Sequence, residues 1–313
     1  MTGPHPYELL SPETLSRWLE EEKPFYLLHT LTKDHYTKIR LPRALRASVF
    51  EINFLEQVEG VTRDPEAVIV LYGSSHRSLD ADTAARKLHR AGYRSLHVLS
   101  GGLSAWNEKG LPLEGSAPEV VHAPQRTLII PDGTYRIDTE ESFILWVGRN
   151  PASRHHGQVR LASGALDATG GTVTGHFDID MNTIANINLE GDELQQVLED
   201  HLKSDDFFFT RRFPVARFTM EDAAPVPEPF LSAPNVKVSG QLELGGVSAP
   251  LSFPATVSPT EEGHLAAEAH FDLDRTRWKV IYGSSKFFEH LGMHLVFDLI
   301  SFEIRIKAQK NQT

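Results

Sequence analysis

The 313-residue sequence contains no cysteine. That absence excludes disulfides, thiolate nucleophiles, persulfide carriers, iron–sulfur clusters and cysteine-ligated zinc. The sequence also has no run near the roughly 18 apolar residues that a spanning helix requires. Its opening, MTGPHPYELL, has neither the basic nor the apolar region of a secretory signal. A cytoplasmic protein that is not integral to a membrane is therefore expected. Positive charge is scarce, since 31 Lys and Arg face 42 Asp and Glu for a net charge of −11. Such a balance opposes binding to nucleic acid or to an anionic membrane, so neutral or apolar partners fit better. The first 118 residues hold 14 basic and 15 acidic side chains, which leaves 17 and 27 for the rest. Disorder is excluded by 40% hydrophobic content, 23% charged content and 17 Phe.

At about 150 residues per domain the length suggests two domains. Residues 11 to 115 alternate helical and strand patterns. SPETLSRWLEEEK offers Ser11 as N-cap and Pro12 at the first helical position, with Leu15, Trp18 and Leu19 on one face. FYLLHT, AVIVLY and SLHVLS are short apolar runs of the kind buried on both faces of a parallel sheet. Between the last two, SLDADTAARKLHRAG predicts a helix with Ala81, Ala84, Leu88 and Ala91 at helical spacing and Gly92 at its end. Pro118, Pro124 and Pro131 then mark a stretch with little periodicity. The predicted organisation is a first domain over 1–118, a linker over 119–131 and a second domain over 132–310.

In the second domain the period becomes two. Val173, Phe177 and Ile179 oppose Thr174, His176, Asp178 and Asp180; Val236, Val238, Leu242 and Leu244 oppose Lys237, Ser239, Gln241 and Glu243. The alternation recurs in HLAAEAHFDL, and in ISFEIRIKA through Ile300, Phe302, Ile304 and Ile306. A long antiparallel sheet with one apolar face covers that face and loses its edges by closing into a barrel. EGDELQQVLEDHLKS predicts one helix with Leu194, Val197, Leu198, His201 and Leu202 on one side, packed over the barrel.

Four segments of the first domain carry a family resemblance: LSPETLSRWL, IRLPRAL, VIVLYGSSHRS and GGLSAWNEKGLPLEG. The last, with Gly101-Gly102, Ala105-Trp106 and Gly110-Leu111-Pro112, is the most specific. Residues 11 to 115 resemble the rhodanese family, which implies an α/β fold with a parallel sheet flanked by helices. The resemblance also implies sulfur transfer through a persulfide on a loop cysteine. Counting back from Arg77 places that position at Tyr72, and counting forward from the strand places it at Gly73. Neither is a thiol, and His29 stands where the family usually has an acid, so the domain is expected to be non-catalytic. Its degenerate loop comprises Tyr72, Gly73, Ser74, Ser75, His76, Arg77 and Ser78. Backbone N–H groups there and Arg77 offer a small-anion site, or the serines merely cap the next helix. Ser75 with His76 as nucleophile and base is disfavoured, because adjacent residues rarely aim at each other.

The second domain carries GTYRIDTEES, RHHGQVRLASGAL, FDIDMNTIANINL, DHLKSDDFFFTRRFPVARF, VSGQLELGGVSAPLSF, LDRTRWKVIYGSSKFFEHLG and VFDLISFEIRI. These segments resemble the YceI-like family, with Met293 a departure where relatives often have an acid. The resemblance implies a lipocalin-like antiparallel barrel that binds polyisoprenoid chains such as quinone tails. Strand parity then nominates Phe143, Leu145, Val159, Leu161, Phe177, Ile179, Phe218, Phe253, Phe271, Trp278 and Phe297 as lining residues, and the matching stretch Arg154-His155-His156-Gly157 at an expected barrel end nominates His155 as a polar contact near a head group. A solid barrel filled by the same side chains is the competing expectation. No cofactor requirement and no metal site is expected: His155 and His156 are strand neighbours on opposite faces, and His176, Asp178 and Asp180 share the solvent face. A bound isoprenoid lipid or quinone is the expected ligand, and a homodimer is compatible with the composition. The alternative activity is a sulfurtransferase-related or anion-processing enzyme that borrows a partner's thiol.

Overall fold

The structure, a computed structural model, describes residues 6–118, 128–227, 229–230, 232–260 and 262–311. The chain divides into two compact units, Met1–Pro124 and Gln125–Thr313. Most of the expected linker, residues 119–127, lies outside the described residues.

The first unit runs β1 (Glu8–Leu10), α1 (Pro12–Glu20), β2 (Tyr26–His29), α2 (Lys33–Lys38), β3 (Leu45–Arg46), α3 (Phe54–Glu59), β4 (Ile69–Tyr72), α4 (Asp80–Arg90), β5 (Leu96–Leu99) and α5 (Gly102–Glu108). Its strands form one sheet in the order β1-β5-β4-β2-β3, and every pair is parallel. Ser11 caps α1 by accepting from the Thr14 N–H, with Pro12 behind it. Along β4 all four residues are buried: Ile69 and Leu71 meet α3 and α4, while Val70 and Tyr72 face the layer containing Leu15, Leu103 and Trp106. Two apolar layers, one on each face, explain why these strands read as unbroken apolar runs.

The second unit contains β6 (Gly133–Ile137), β7 (Phe143–Arg149), β8 (Arg154–Thr169), β9 (Thr172–Asn186), α6 (Glu193–Lys203), β10 (Val215–Pro225), β11 (Val236–Leu244), β12 (Val247–Pro259), β13 (Leu265–Asp274) and β14 (Leu299–Lys310). Antiparallel pairing runs β13-β12-β11-β10-β9-β8, and β13 pairs with β14 to close the barrel. β6 and β7 occupy one strand position between β8 and β14, interrupted where Asp138 accepts from the N–H groups of Glu140 and Glu141. Eight positions therefore complete the barrel. Its tight hairpins turn at Gly170-Gly171, with φ of 59° and 85°, and at Gly245-Gly246, with φ of 60° and 75°. Two successive positive φ values suit the right-handed strand twist and favour glycine.

Candidate functional site

The inner face of the barrel encloses a cavity of about 450 Å³. Alternate residues supply its wall: Val159 and Leu161 from β8, Phe177 and Ile179 from β9, Phe218 from β10, Phe253 from β12, Phe271 from β13, and Phe302 from β14. Phe218, Phe253, Phe271 and Phe302 form a run of ring contacts, the closest being the stacked Phe253–Phe271 pair at 4.3 Å. One end is sealed by Val173, Ala223, Leu265 and Ala308, each at most 4% exposed. At the other end Met293 borders the cavity yet is 89% exposed, so the lumen opens there.

Polar groups gather at this mouth: Arg149 at the end of β7, Asn150 from the following turn, His155 at the start of β8, His201 from α6, and Tyr282 and His294 from the segment 279–298. The Tyr282 hydroxyl and His294 Nδ1 are 3.2 Å apart, and His201 Nε2 lies 3.2 Å from Asp206 Oδ2. His201 also meets Tyr282 edge to face at 4.7 Å, joining α6 to the segment across the opening. Arg275 pins that segment from below. The residue is only 2% exposed, and its guanidinium donates to the carbonyls of Phe297, Val280, Tyr282 and Val296. A buried cation that is fully bonded in this way is structural, not a spare ligand contact.

In the first unit the β4 carboxyl end presents a different arrangement. Tyr72 is fully buried, and its hydroxyl accepts from the Leu41 N–H at 3.0 Å. The phenol proton is then available to His29 Nδ1 at 2.8 Å, and His29 Nε2–H reaches His35 Nδ1 at 3.2 Å. This tautomer satisfies each group in the chain. Burial, reinforced by the neighbouring His35 and Arg40, holds the His29 imidazole far below its usual range, at about 3. Burial likewise raises the Tyr72 phenol and lowers His35. In the following loop, the Asp80 carboxylate accepts from the Ser74 N–H at 3.2 Å and the Ser74 hydroxyl at 3.3 Å. Gly73 packs so closely that a Cβ there would stand 1.8 Å from Asp80 Oδ1. Ser75 Oγ accepts from the Arg77 N–H, a local turn contact. The chain's own carboxylate thus occupies donors that a small anion would need. The Gly101-Gly102 motif has its reason here: Leu103 and Ser104 N–H groups at the start of α5 donate to the Gly73 and Ser74 carbonyls. A Cβ on Gly102 would meet Gly73 O at 2.5 Å.

Residues 135–309 match the YceI-like domain family, and residues 11–109 match the Rhodanese-like domain family. The chain belongs to the YceI-like family. Its YceI-like barrel follows a rhodanese-like domain without a catalytic cysteine. Similar solved structures include BcnA of Burkholderia cenocepacia, at 16% identity over 55% of this chain and 99% of that one, with a TM-score of 0.44. A polyisoprenoid binding domain from Saccharophagus degradans is 17% identical over 56% of this chain and 98% of its own, with a TM-score of 0.40. For the rhodanese-like part, Alr3790 of Anabaena sp. is 23% identical over 34% of this chain and 91% of that one, with a TM-score of 0.31. A comparison with curated proteins returns no match.

Of the sequence-nominated lining residues, Val159, Leu161, Phe177, Ile179, Phe218, Phe253 and Phe271 border the lumen of the YceI-like barrel, and His155 stands at its mouth. Four others do not. Phe143 and Leu145 are off by one residue, because β7 turns Ile144, Trp146 and Gly148 inward instead. Only the pairing of β7 with β8 and β14 fixes that parity. Trp278 lies in a 3₁₀ turn, buried against the wall with Nε1 donating to the Leu242 carbonyl. Phe297 lies outside strand alternation and is 44% exposed. The expected helix also differs: α6 sends Leu198, His201 and Leu202 to the lumen but leaves Leu194 and Val197 exposed. The mouth residues Arg149, Tyr282 and His294 were missed because they lie outside or at the ends of strands, where period-two reasoning has no purchase.

Proposed function

We propose that the barrel binds one long-chain isoprenoid amphiphile of the quinone type, with its tail in the lumen and its polar head at the mouth, and serves to carry or sequester it. The observation that carries this reading is the single-mouthed lumen, apolar along its length and polar only at its opening. Area decides the energetics. Removing about 400 Å² of alkyl chain from water contributes about 10 kcal/mol before the costs of binding. A neutral hydrogen bond at the mouth adds about 1 kcal/mol. A carbonyl or hydroxyl head suits the donors His155, Asn150 and Arg149, which orient the molecule and do not supply most of its affinity. The rhodanese-like domain acts in this reading as a non-catalytic module, because no residue of the chain can carry a persulfide.

The test is organic extraction of purified full-length protein followed by mass spectrometry. An isoprenoid near one mole per mole of protein is expected. Phe177→Glu, which places an unpaired charge against the chain, should leave folded protein without lipid, whereas His155→Ala should retain it. Retention in the first variant with complete loss in the second would show that a polar anchor controls binding.

A further inference from the structure

Half of the large apolar side chains exposed among the described residues of the YceI-like barrel unit fall in two segments that border the lumen's opening. Leu194 and Val197 are 59% and 63% exposed on α6; Phe287, Phe288 and Met293 are 53%, 44% and 89% exposed on the facing segment. The two segments touch through His201 and Tyr282. α6 is thus apolar on two sides, with Leu198 and Leu202 toward the lumen and Leu194 and Val197 toward solvent. Met293 belongs to both the rim and the lumen wall. Exposed apolar side chains therefore stand beside a polar opening, and Met293 joins them to the lumen wall. Exposed apolar side chains gathered around one opening mark an interaction site.

We propose that this rim docks on a lipid bilayer whose surface is zwitterionic, so that a chain passes from bilayer to lumen past Met293. This rests on the reading of the lumen as a lipid site, because only an amphiphile resident in a bilayer has to cross such a rim. Charge selects the kind of bilayer. Glu190, Asp192, Glu193, Glu199, Asp200, Asp205 and Asp206 lie in or beside α6, against Lys203. An anionic leaflet repels that concentration of carboxylates. Choline head groups present their ammonium outward and complement it. α6 then lies as an interfacial helix does, with Leu194 and Val197 in the head-group layer.

The experiment is flotation of full-length protein with phosphatidylcholine vesicles at low salt. Co-flotation is expected, with a fall when phosphatidylglycerol is included and recovery on raising salt, which screens the carboxylates. Leu194→Glu with Val197→Glu, and separately Phe287→Glu with Phe288→Glu, should lower the bound fraction by about tenfold or more. Phe230→Glu, an exposed aromatic next to β10 at the sealed end, should float as the unaltered protein does. Binding of a short-chain isoprenoid quinone added directly, followed by quenching of tryptophan fluorescence, is measured on the same variants. Rim variants that bind quinone but no longer float support the docking surface. Rim-dependent flotation without quinone binding would retain docking and remove the functional reading. Unaltered protein that stays away from the vesicles, rim variants that still float, or rim variants whose only change is the loss of a protein dimer would overturn the proposal.

Discussion

The two units solve the same problem of covering a sheet in opposite ways. In the rhodanese-like unit the parallel sheet is packed on both faces, and Leu28, Ile69, Val70, Leu71 and Tyr72 are wholly buried. In the YceI-like unit the sheet covers its own inner face, yet Phe177, Ile179, Phe253 and Phe271 on that face remain only half-buried because they surround a lumen. A solid layer places every side chain against others. A hollow one leaves part of each aromatic ring available to a ligand. The same apolar composition therefore produces a filled interior in one unit and the wall of a cavity in the other.

The sharpest way to break this comparison is truncation. Leu71→Ala removes a fully buried side chain from a packed layer and should destabilise the first unit by about 3 to 5 kcal/mol. Phe253→Ala, flanked by the lumen, should cost the barrel only about 1 to 2 kcal/mol while weakening lipid retention. Urea unfolding of the full chain, with hydrogen exchange assigning each transition, separates the two; equal costs would mean that the barrel is packed as a solid.

The hollow unit also relies on single side chains where the solid unit relies on many. Arg275→Met removes the donors to four carbonyls and should destabilise the barrel by about 2 to 4 kcal/mol. Exchange should accelerate over 279–298 in particular. Arg275→Lys should not restore it, since an ammonium cannot reproduce the planar fork.

Acid should discriminate between the units as well. His29 is neutral when folded, with a value of about 3, against about 6.5 when unfolded. Between those values the unfolded chain binds more protons, so stability is complete above about pH 6.5 and falls as pH decreases. The loss attributable to His29 should reach about 2 kcal/mol near pH 5. His29→Phe should flatten that slope in the first unit and leave the barrel's pH profile unchanged; an unaltered slope would assign the acid sensitivity elsewhere.

The smallest effect expected is none. Tag-free protein should transfer no sulfur from thiosulfate to cyanide, and Tyr72→Cys should not create the activity. A thiol at position 72 would replace a buried phenol that faces Leu41 and His29, beside a loop whose Ser74 donors are already held by Asp80. Turnover by the variant above a protein-free control would show that the loop is catalytically competent and lacks only its sulfur.

Local pattern made much of the molecule legible. The period of two announces the barrel strands because a half-buried strand alternates by geometry, and Ser11-Pro12 announces α1 because a cap and a fixed φ act within one turn. The missing thiol is a fact of composition alone. Seven wall residues followed from the same parity, and His155 from the family-matching stretch Arg154-His155-His156-Gly157. Parity is counted from a starting residue, however, and nothing within FILWVGR says which side chain faces inward; pairing with β8 and β14 turned Ile144 and Trp146 in and Phe143 and Leu145 out. The apolar residues of α6 likewise fit one stripe on paper, and packing against the barrel admitted only part of that stripe. The Tyr72–His29–His35 chain joins residues on β2, β4 and α2 that no local rule connects, and the Asp80 carboxylate meets Ser74 only because α4 starts where the loop turns back. Sequence fixes what each segment prefers through interactions a few residues long. Which side chains share a lumen, a mouth or a buried hydrogen-bond chain depends on contacts between distant segments, and tertiary structure decides those.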